Sequence, residues 1–339
     1  MKIAILGATG AVGQVLLEQL EKRKFQFSDL KLLASSRSVG KQISVFGKNY
    51  KIEEVSESSF TDVDLLFSDV PDDVARHWIP LAHKAGCWVI DNSAAFRYET
   101  GIPIIVPEVN AEFLNLDSKI LTNPNCSTAQ LVVALAPLHR KYQLKRVVVS
   151  TYQSTSGGGV AAMNELTSQT ESFLKNGTYH PPEVFTHPIG FNCIPSIGGL
   201  REDDYTSEEM KMIIETRKIM NLPDLKITAT AVRVPTYACH GESVNVEFEN
   251  EFELDELKKA LSDAPGIEVL DHPSDNIYPM GNEAQGKDSV FIGRIRRDLS
   301  VSNGVNLWIV SDNLLKGAAL NAVQVAECLC DFLSSRSSS

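Results

Sequence analysis

The chain reads Lys2-Ile3-Ala4-Ile5-Leu6-Gly7-Ala8-Thr9-Gly10-Ala11-Val12-Gly13 near its start, and this stretch decides the fold of its first part. Residues 2–6 form a short β run, the glycines follow with the spacing Gly-x-x-Gly-x-x-Gly, and residues 14–23 have helical spacing. Strand, glycine turn and helix in that order are the context in which a pyrophosphate binds at a helix N-terminus. The stretch therefore predicts a dinucleotide site; the alternative is a tight turn without a ligand. The candidate contacts in this turn are Gly7, Thr9, Gly10, Ala11, Val12 and Gly13.

The turn after the second predicted strand, residues 30–34, indicates which dinucleotide is bound. A site for NAD usually places an acid here to accept hydrogen bonds from the ribose 2′-OH. This chain has Ser35-Ser36-Arg37-Ser38 instead. The hydroxyls of Ser36 and Ser38 and the guanidinium of Arg37 suit a 2′-phosphate. NADP is the predicted cofactor, and a solvated basic turn is the alternative.

Further β runs at 64–67, 87–90 and 104–106, with a helix at 71–85, predict an α/β class. Strands that alternate with helices indicate a parallel, doubly wound sheet. Arg97 follows closely on the strand at 87–90, at the carboxyl end, where such sheets place their ligands. Arg97 is therefore a candidate binding residue.

A cysteine at a strand-to-helix corner is the candidate nucleophile. Asn123-Pro124-Asn125-Cys126-Ser127-Thr128 lies between a strand-like run at 118–122 and a long apolar helix at 129–138. Asn125 is a plausible N-cap, which places Cys126 in the first turn, where the positive end of the dipole favours an anion. A lowered thiol pKa would make Cys126 largely thiolate at neutral pH. The alternative is a small buried core residue.

The middle of the chain predicts a second α+β domain. A strand at 146–153 ends at Gln153, a glycine turn at 154–159 follows, and a helix is expected at 160–175. Residues 176–205 are rich in Pro, Gly, His and Asn and show no clear period, which is typical of a long ordered excursion.

The later elements of this domain carry more candidate residues. A helix at 206–219 holds Glu208 and Lys211 three residues apart, hence on one face. Strands at 226–234 and 242–249 place Arg233 and His240 at the same end of a sheet. A final helix is predicted from Ser311 to Leu333, and the residues after it are expected to form a frayed tail.

Composition excludes several functional classes. The length of 339 residues favours two domains, and 43% hydrophobic with 22% charged residues is typical of a globular protein. The formal net charge of −11 argues against nucleic acid as the main partner. No apolar run is long enough to span a membrane, and no signal-peptide pattern is present. The six cysteines lack any Cys-x-x-Cys pair, which favours a reduced cytoplasm and no metal site.

Five motifs occur in one order: the glycine turn, Ser35 to Ser38, Asn123 to Thr128, Gln153 with its glycine turn, and Arg233 with the Cys239-His240 pair. Together they cover nearly the whole chain, which resembles the aspartate-β-semialdehyde dehydrogenase family of bacterial type. The resemblance implies a Rossmann domain at 1–127 completed by a C-terminal helix at 312–333. It also implies a catalytic and dimerisation domain at 128–311, a flexible tail at 334–339, and a homodimer.

The resemblance implies an activity as well. This is the reversible NADP- and phosphate-dependent conversion of L-aspartate 4-semialdehyde to L-4-aspartyl phosphate, in the pathway to lysine, threonine, methionine and diaminopimelate. The small-molecule substrate and inorganic phosphate would be its partners, with no nucleic acid and no membrane.

Site residues carry over from the same resemblance by matching motif. Cys126 would be the nucleophile, His240 the acid and base, and Gln153 would orient the substrate. Arg233 would hold the α-carboxylate of the substrate, and Glu208 its amino group. The remaining assignments are Arg97 and Lys211 to phosphate, and Ser156, Gly157 and Asn313 to the cofactor. A serine follows the catalytic histidine in many relatives, whereas Gly241 stands there in this chain.

Two other functions stay open at this point. N-acetyl-γ-glutamyl-phosphate reductase shares the chemistry, but the acylated nitrogen of its substrate would leave Glu208 without a purpose. A non-catalytic NADP sensor could use the same glycine turn, but it has no reason to keep Cys126, Gln153 and His240 together.

Overall fold

A computed structural model describes residues 1–114 and 117–337 and divides the chain into two compact units. The first unit runs up to Pro124 and resumes at Ala318, and the second comprises Asn125–Gly317. The limits expected at 127 and 311 differ from these, since residues 125–127 and 312–317 belong to the second unit. Across the part of the chain described here, no helix is long and apolar enough to cross a membrane.

The strands are β1 (Lys2–Leu6), β2 (Asp29–Ala34), β3 (Gln42–Val45), β4 (Lys48–Glu54), β5 (Leu65–Ser68), β6 (Trp88–Asp91), β7 (Ile120–Thr122), β8 (Leu144–Gln153), β9 (Lys226–Arg233), β10 (His240–Phe248), β11 (Ile267–Val269), β12 (Val290–Arg297) and β13 (Gly304–Ser311). The helices are α1 (Ala11–Lys22), α2 (Asp72–Lys84), α3 (Pro107–Asn110), α4 (Cys126–Tyr142), α5 (Gly159–Asn176), α6 (Ser207–Ile219), α7 (Leu254–Ser262), α8 (Gly281–Ala284) and α9 (Leu320–Ser337).

The first unit is a doubly wound sheet with the order β3-β4-β2-β1-β5-β6-β7. All neighbours are parallel except β3, which pairs antiparallel with β4. Side chains alternate along β1: Ile3 and Ile5 enter the core that holds residues of α1 and α9, whereas Ala4 and Leu6 enter the core that holds residues of α2. Helices cover both faces of the central strands, so those strands are mainly apolar, and the predicted α/β class is confirmed.

In this unit one predicted strand is absent from its expected range, and one hairpin was not predicted. The strand expected at 104–106 is a single bridge from Ile104 to Thr122. The hairpin of β3 and β4 was missed because its strands are mostly exposed and carry little apolar pattern.

The C-terminal helix also begins later than predicted. Ser311 ends β13, a π-helical turn occupies Leu315–Ala319, and α9 starts only at Leu320. Asp312 causes the delay: its carbonyl accepts from Leu315 at 3.1 Å and Gly317 at 3.4 Å, and its carboxylate accepts from Leu314 at 2.9 Å. At its other end α9 continues to Ser337, so the tail expected from 334 is helical to that point. Residues 338–339 of the expected tail lie outside the described residues.

The second unit is a mixed sheet with the order β11-β12-β13-β10-β8-β9. Helices α4, α6 and α7 contact its strands. Gln153 at the end of β8 pairs with Arg233 at the end of β9, and His240 at the start of β10 pairs with Ser311 at the end of β13. Because β10 runs antiparallel to β8 and β13, these residues meet at one end of the sheet. Residues 177–205 contain no helix or strand; two isolated bridges tie Ile194 to Arg233 and Leu200 to Thr206.

Candidate active site

Cys126 is the first residue of α4, as predicted, and Asn125 caps the helix. The Asn125 side-chain oxygen accepts from the backbone N–H of Ser127 at 3.1 Å and of Thr128 at 3.2 Å. Cys126 itself stays partly exposed, so a small molecule can reach it. The corner therefore presents the Cys126 thiol at a helix N-terminus where the N–H groups of Ser127 and Thr128 are already bonded to Asn125.

The low pKa expected for this thiol was wrong. Burial of the sulfur, together with the charge of Glu208, raises the pKa of Cys126 to about 12, and the nearby charges of Arg233 and Lys211 oppose that rise. The dipole of α4 does not outweigh desolvation here, because burial removes the water that would stabilise the thiolate. Formation of the thiolate therefore requires a base that takes the proton, or the arrival of substrate.

One face of α6 lies against the corner. Glu208, Lys211 and Glu215 share that face, since they are spaced by three and four residues. Asn125 donates its backbone N–H to Glu215 at 2.6 Å and its side-chain amide to Glu208 at 2.8 Å. Lys211 donates to the other oxygen of Glu208 at 3.3 Å. Two carboxylates of α6 thus hold the cap of α4 in place.

The charge state of Glu208 follows from these contacts. Burial alone would raise the pKa of Glu208, but the charge of Lys211, the hydrogen bond from Asn125 and the charge of Arg233 together lower it below its ordinary value. Glu208 is therefore a carboxylate at neutral pH, able to pair with a cation.

Arg233 and Gln153 stand side by side at the ends of their strands. The Nη1 atom of Arg233 donates to the backbone carbonyl of Ser154 at 2.6 Å, which leaves the rest of the guanidinium fork for other acceptors. Gln153 is buried, and within the described residues its Nε2 has no hydrogen-bond partner. A buried amide donor without a partner is costly, so it is suited to a ligand atom.

His240 lies at the start of β10, fully buried. Its Nδ1 accepts from the backbone N–H of Ser154 at 3.1 Å, while among the residues described its Nε2 has no hydrogen-bond partner. Burial, with a smaller effect from the charge of Arg233, lowers the pKa of His240 to about 3. The imidazole is therefore neutral across the physiological range.

Two glycines allow Cys126, Arg233 and His240 to pack closely against the backbone. A Cβ at Gly157 would lie 3.0 Å from Arg233 Nη1 and 3.3 Å from His240 Nε2, so a side chain there would displace both groups. A Cβ at Gly317 would lie 2.7 Å from the Cβ of Cys126. Sequence reasoning missed Gly317 and Glu215; the position of Glu215 seven residues after Glu208 is a signal that could have found the latter.

The candidate dinucleotide residues of the first unit fit an anion. Gly7 has φ +95°, and a Cβ there would lie 2.0 Å from the carbonyl oxygen of Asp69. A Cβ at Gly13 would lie 2.4 Å from the oxygen of Gly7. Within the described residues, α1 has no side-chain cap at Gly10 and no acid in its first turn, where Ala11 and Val12 stand. The N–H of Gly13 bonds to the Asp69 carboxyl, so a diphosphate would use the N–H groups of Ala11 and Val12.

The predicted phosphate-recognition turn lies beside the glycine turn. The hydroxyl of Thr9 is 3.4 Å from that of Ser38, and Ser36 and Arg37 are exposed. Arg97, also in this unit, is buried and donates to the carbonyl of Asn92 at 2.7 Å. The assignment of Arg97 to phosphate stays a prediction.

An acid that sequence reasoning missed lies under the glycine turn. A Cβ at Gly10 would lie 3.5 Å from Asp69 Oδ2. Burial raises the pKa of the Asp69 carboxyl to about 6, against the effect of hydrogen bonds from Asn92 and Gly13. Asp69 therefore changes charge close to the proposed diphosphate site within the range of ordinary assays.

Comparison with known proteins agrees with both units. Residues 2–116 match the family described as semialdehyde dehydrogenase, NAD binding domain, and residues 135–316 match semialdehyde dehydrogenase, dimerisation domain. An aspartate-semialdehyde dehydrogenase of Bacillus subtilis is 45% identical over 97% of each chain. The chain belongs to the aspartate-semialdehyde dehydrogenase family. The dehydrogenase of Synechocystis is 44% identical over 98% of each chain.

Solved structures of the aspartate-semialdehyde dehydrogenase family show the same fold. The structure of aspartate semialdehyde dehydrogenase II from Vibrio cholerae, complexed with ASA, has a TM-score of 0.94 at 42% identity and covers 97% of this chain and 98% of its own. A Candida albicans member, solved with NADP, has a TM-score of 0.74 at 25% identity and covers 97% of this chain and 98% of its own. Family membership thus extends over nearly the whole chain.

Proposed function

We propose that this chain is an NADP-dependent aspartate-semialdehyde dehydrogenase that converts L-aspartate 4-semialdehyde and phosphate reversibly into L-4-aspartyl phosphate. The observation that carries the proposal is the position of Cys126, a partly exposed residue whose thiol lies close enough to Glu208, Arg233 and Lys211 for all three charges to shift its pKa. A nucleophile, a cation and an anion in one cluster match a substrate that has a carbonyl, a carboxylate and an amino group.

Cys126 provides covalent catalysis. Its sulfur adds to the aldehyde carbon and forms a tetrahedral thiohemiacetal; the oxidised product is a thioester at Cys126, which phosphate then attacks to release the acyl phosphate and the free thiol. NADP, when bound, supplies the hydride acceptor for the oxidation. The residues that would hold NADP are the glycine turn from Gly7 to Gly13, with Ser36 to Ser38 at the 2′-phosphate.

The other residues of the cluster have distinct roles in this proposal. His240 exchanges a proton with the reacting oxygen or sulfur through Nε2, a role typically worth about 10²- to 10⁴-fold in rate. Arg233 matches the planar α-carboxylate of the substrate, and Glu208 accepts from its amino group. The Gln153 amide orients the substrate, and Lys211 counters the phosphate charge. The assignment of Arg97 to phosphate rests on its sequence motif alone.

The test is an NADPH-linked assay with aspartate semialdehyde and phosphate, repeated with arsenate in place of phosphate. Cys126→Ser should abolish turnover while the Kd for NADPH stays unchanged, because the nucleophile is lost and the glycine turn is intact. Retained turnover in Cys126→Ser would refute the thioester scheme.

Glu208 separates this function from N-acetyl-γ-glutamyl-phosphate reductase. An acylated nitrogen carries no charge, so a carboxylate with a lowered pKa would gain nothing from facing it. We expect Glu208→Gln to raise the KM for aspartate semialdehyde, and an unchanged KM would remove Glu208 from the substrate site. NADP should exceed NAD in kcat/KM; equal values would contradict the role given to Ser36, Arg37 and Ser38.

A homodimer is part of the proposal. The second unit matches a dimerisation domain, and Tyr152 of β8 and Tyr237 are large side chains that are 44% and 50% exposed in the single chain. Light scattering at micromolar concentration should give twice the mass of the chain, and a monomeric mass would contradict the dimer.

A further inference from the structure

Behind His240 lies a buried set of hydroxyl and amide groups that the proposed chemistry does not yet use. Ser154 is 0% exposed, and its Oγ lies 3.2 Å from His240 Nδ1. The same Oγ lies 3.0 Å from Ser156 Oγ and 3.2 Å from Asn313 Oδ1. Asn313 in turn donates its amide to Ser156 Oγ at 2.9 Å. A continuous hydrogen-bonded chain therefore ends on one ring nitrogen of His240.

The backbone and the side chain of Ser154 act on that nitrogen differently. The Ser154 N–H can only donate to Nδ1, at 3.1 Å, so it favours the tautomer with the proton on Nε2. The Ser154 hydroxyl can donate to Nδ1 as well. It can also accept from Nδ1–H while its own proton turns toward Asn313 Oδ1, which is an acceptor only.

The two tautomers have different chemistry at Nε2, the nitrogen beside Gly157 and Arg233. With the proton on Nδ1, Nε2 presents a lone pair and can remove a proton from a thiol or a hydroxyl. With the proton on Nε2, it can donate to a developing oxyanion. Both resting forms are neutral, as the buried site favours; an imidazolium exists only while the base form holds the proton that it has taken from the thiol or hydroxyl.

We propose that Ser154 is a positioning residue whose hydroxyl, turned by Asn313 and Ser156, selects which nitrogen of His240 carries the proton. The inference rests on the proposed role of His240 in the reaction. In this arrangement the backbone N–H of Ser154 favours the donor form, with the proton on Nε2. When the hydroxyl turns its own proton toward Asn313 and accepts from Nδ1–H, it favours the base form. Ser156 and Asn313, predicted to contact the cofactor, thereby also act on the tautomer of His240.

The test replaces Ser154 by Ala, which removes the hydroxyl and keeps the backbone N–H. We expect His240 to be held with its proton on Nε2, and kcat to fall about 10- to 100-fold, since the base form is lost. The KM for aspartate semialdehyde and the Kd for NADPH should change less than twofold. Histidine labelled with ¹⁵N, assigned by comparison with His240→Asn, reports the tautomer directly.

Two further variants separate positioning from structure. Ser154→Thr keeps a hydroxyl and should recover most of the lost kcat and the wild-type nitrogen shifts. Ser172→Ala is the matched control, because Ser172 is a buried serine of the same unit and donates to the Thr178 carbonyl. This variant should change neither kcat nor the nitrogen shifts of His240. If Ser154→Ala has wild-type ¹⁵N shifts at His240, the proposal is wrong, whatever its kcat. Absence of turnover in the wild type would instead overturn the proposed function, and the ¹⁵N shifts would still test the tautomer.

Discussion

Helices α1 and α4 both begin at sharp corners, yet they use their first backbone N–H groups in opposite ways. At α1 the cap is Gly10, which has no side chain to accept from those groups; the first turn holds no acid, and the N–H of Gly13 bonds to Asp69 of another element. At α4 the Asn125 oxygen takes the N–H groups of Ser127 and Thr128 at 3.1 and 3.2 Å. One helix end is open to a ligand, and the other is closed by the chain itself.

The difference shows when a helix N-terminus acts on an anion. An open end can bind a diphosphate, because its cap residue supplies no side-chain acceptor for the first N–H groups. At the closed end, the sulfur of Cys126 gains little from the dipole, and burial raises its pKa to about 12. The cations Arg233 and Lys211 then favour the thiolate more than the backbone N–H of Ser127 in α4 does.

The largest expected effect comes from closing the open end. Gly13→Ala puts a Cβ 2.4 Å from the oxygen of Gly7, so the turn must shift away from its ligand-binding shape. We expect the Kd for NADPH to rise about 100-fold, or about 2.7 kcal/mol, measured by fluorescence titration. Gly199→Ala is the control, since a Cβ there meets nothing within 4 Å. An unchanged Kd in Gly13→Ala would mean that α1 does not bind the cofactor.

The next effect tests whether side-chain charges govern the closed end. Lys211→Met removes a cation that lowers the pKa of Cys126, and Glu208→Gln removes an anion that raises it. Alkylation of Cys126 by iodoacetamide at pH 8 should therefore slow in the first variant and accelerate in the second, each by roughly three- to tenfold. Mass spectrometry of the Cys126 peptide is required, because Cys193 is exposed and reacts too.

Lys226→Met serves as the control for this pair, since Lys226 is an exposed cation at the far end of the strand that carries Arg233. It should leave the alkylation rate unchanged. Equal alkylation rates in the wild type, Lys211→Met and Glu208→Gln would mean that these side-chain charges do not set the pKa of Cys126, and would favour the helix dipole instead.

The smallest expected effect concerns pH at the open end. Asp69 has a pKa raised to about 6, so its carboxyl is neutral at pH 5 and charged at pH 8, where it repels a diphosphate at the glycine turn. The ratio of NADPH Kd values, wild type over Asp69→Asn, should rise from about 1 at pH 5 to about 3 at pH 8. Taking the ratio cancels the titration of the 2′-phosphate, whose own pKa is near 6.

Asp73→Asn, an exposed acid in the first turn of α2, is the control and should keep a constant ratio. A ratio for Asp69→Asn that is the same at both pH values would separate Asp69 from the cofactor site.

Local patterns predicted the first strand and helix of the first unit well and the start of its last helix, α9, poorly. Three features of the first unit depend only on residues close together in the chain, so the local sequence predicts them. They are the side-chain alternation of β1, the glycine turn and the start of α1. The late start of α9 was not predicted, because the apolar residues from Leu314 to Ala326 keep the spacing of one continuous helix. Hydrogen bonds to Asp312, not the spacing, produce the π turn at Leu315–Ala319.

The sequence by itself determined the order of the elements, the helix corner that presents Cys126 and the family of the chain, because each depends on residues that are neighbours along the chain. Only the tertiary structure decided the state of the thiol. The pKa of Cys126 depends on burial and on charges from α6 and β9, which the sequence separates by dozens of residues. The same holds for His240, whose tautomer is set by Ser154 across two paired strands.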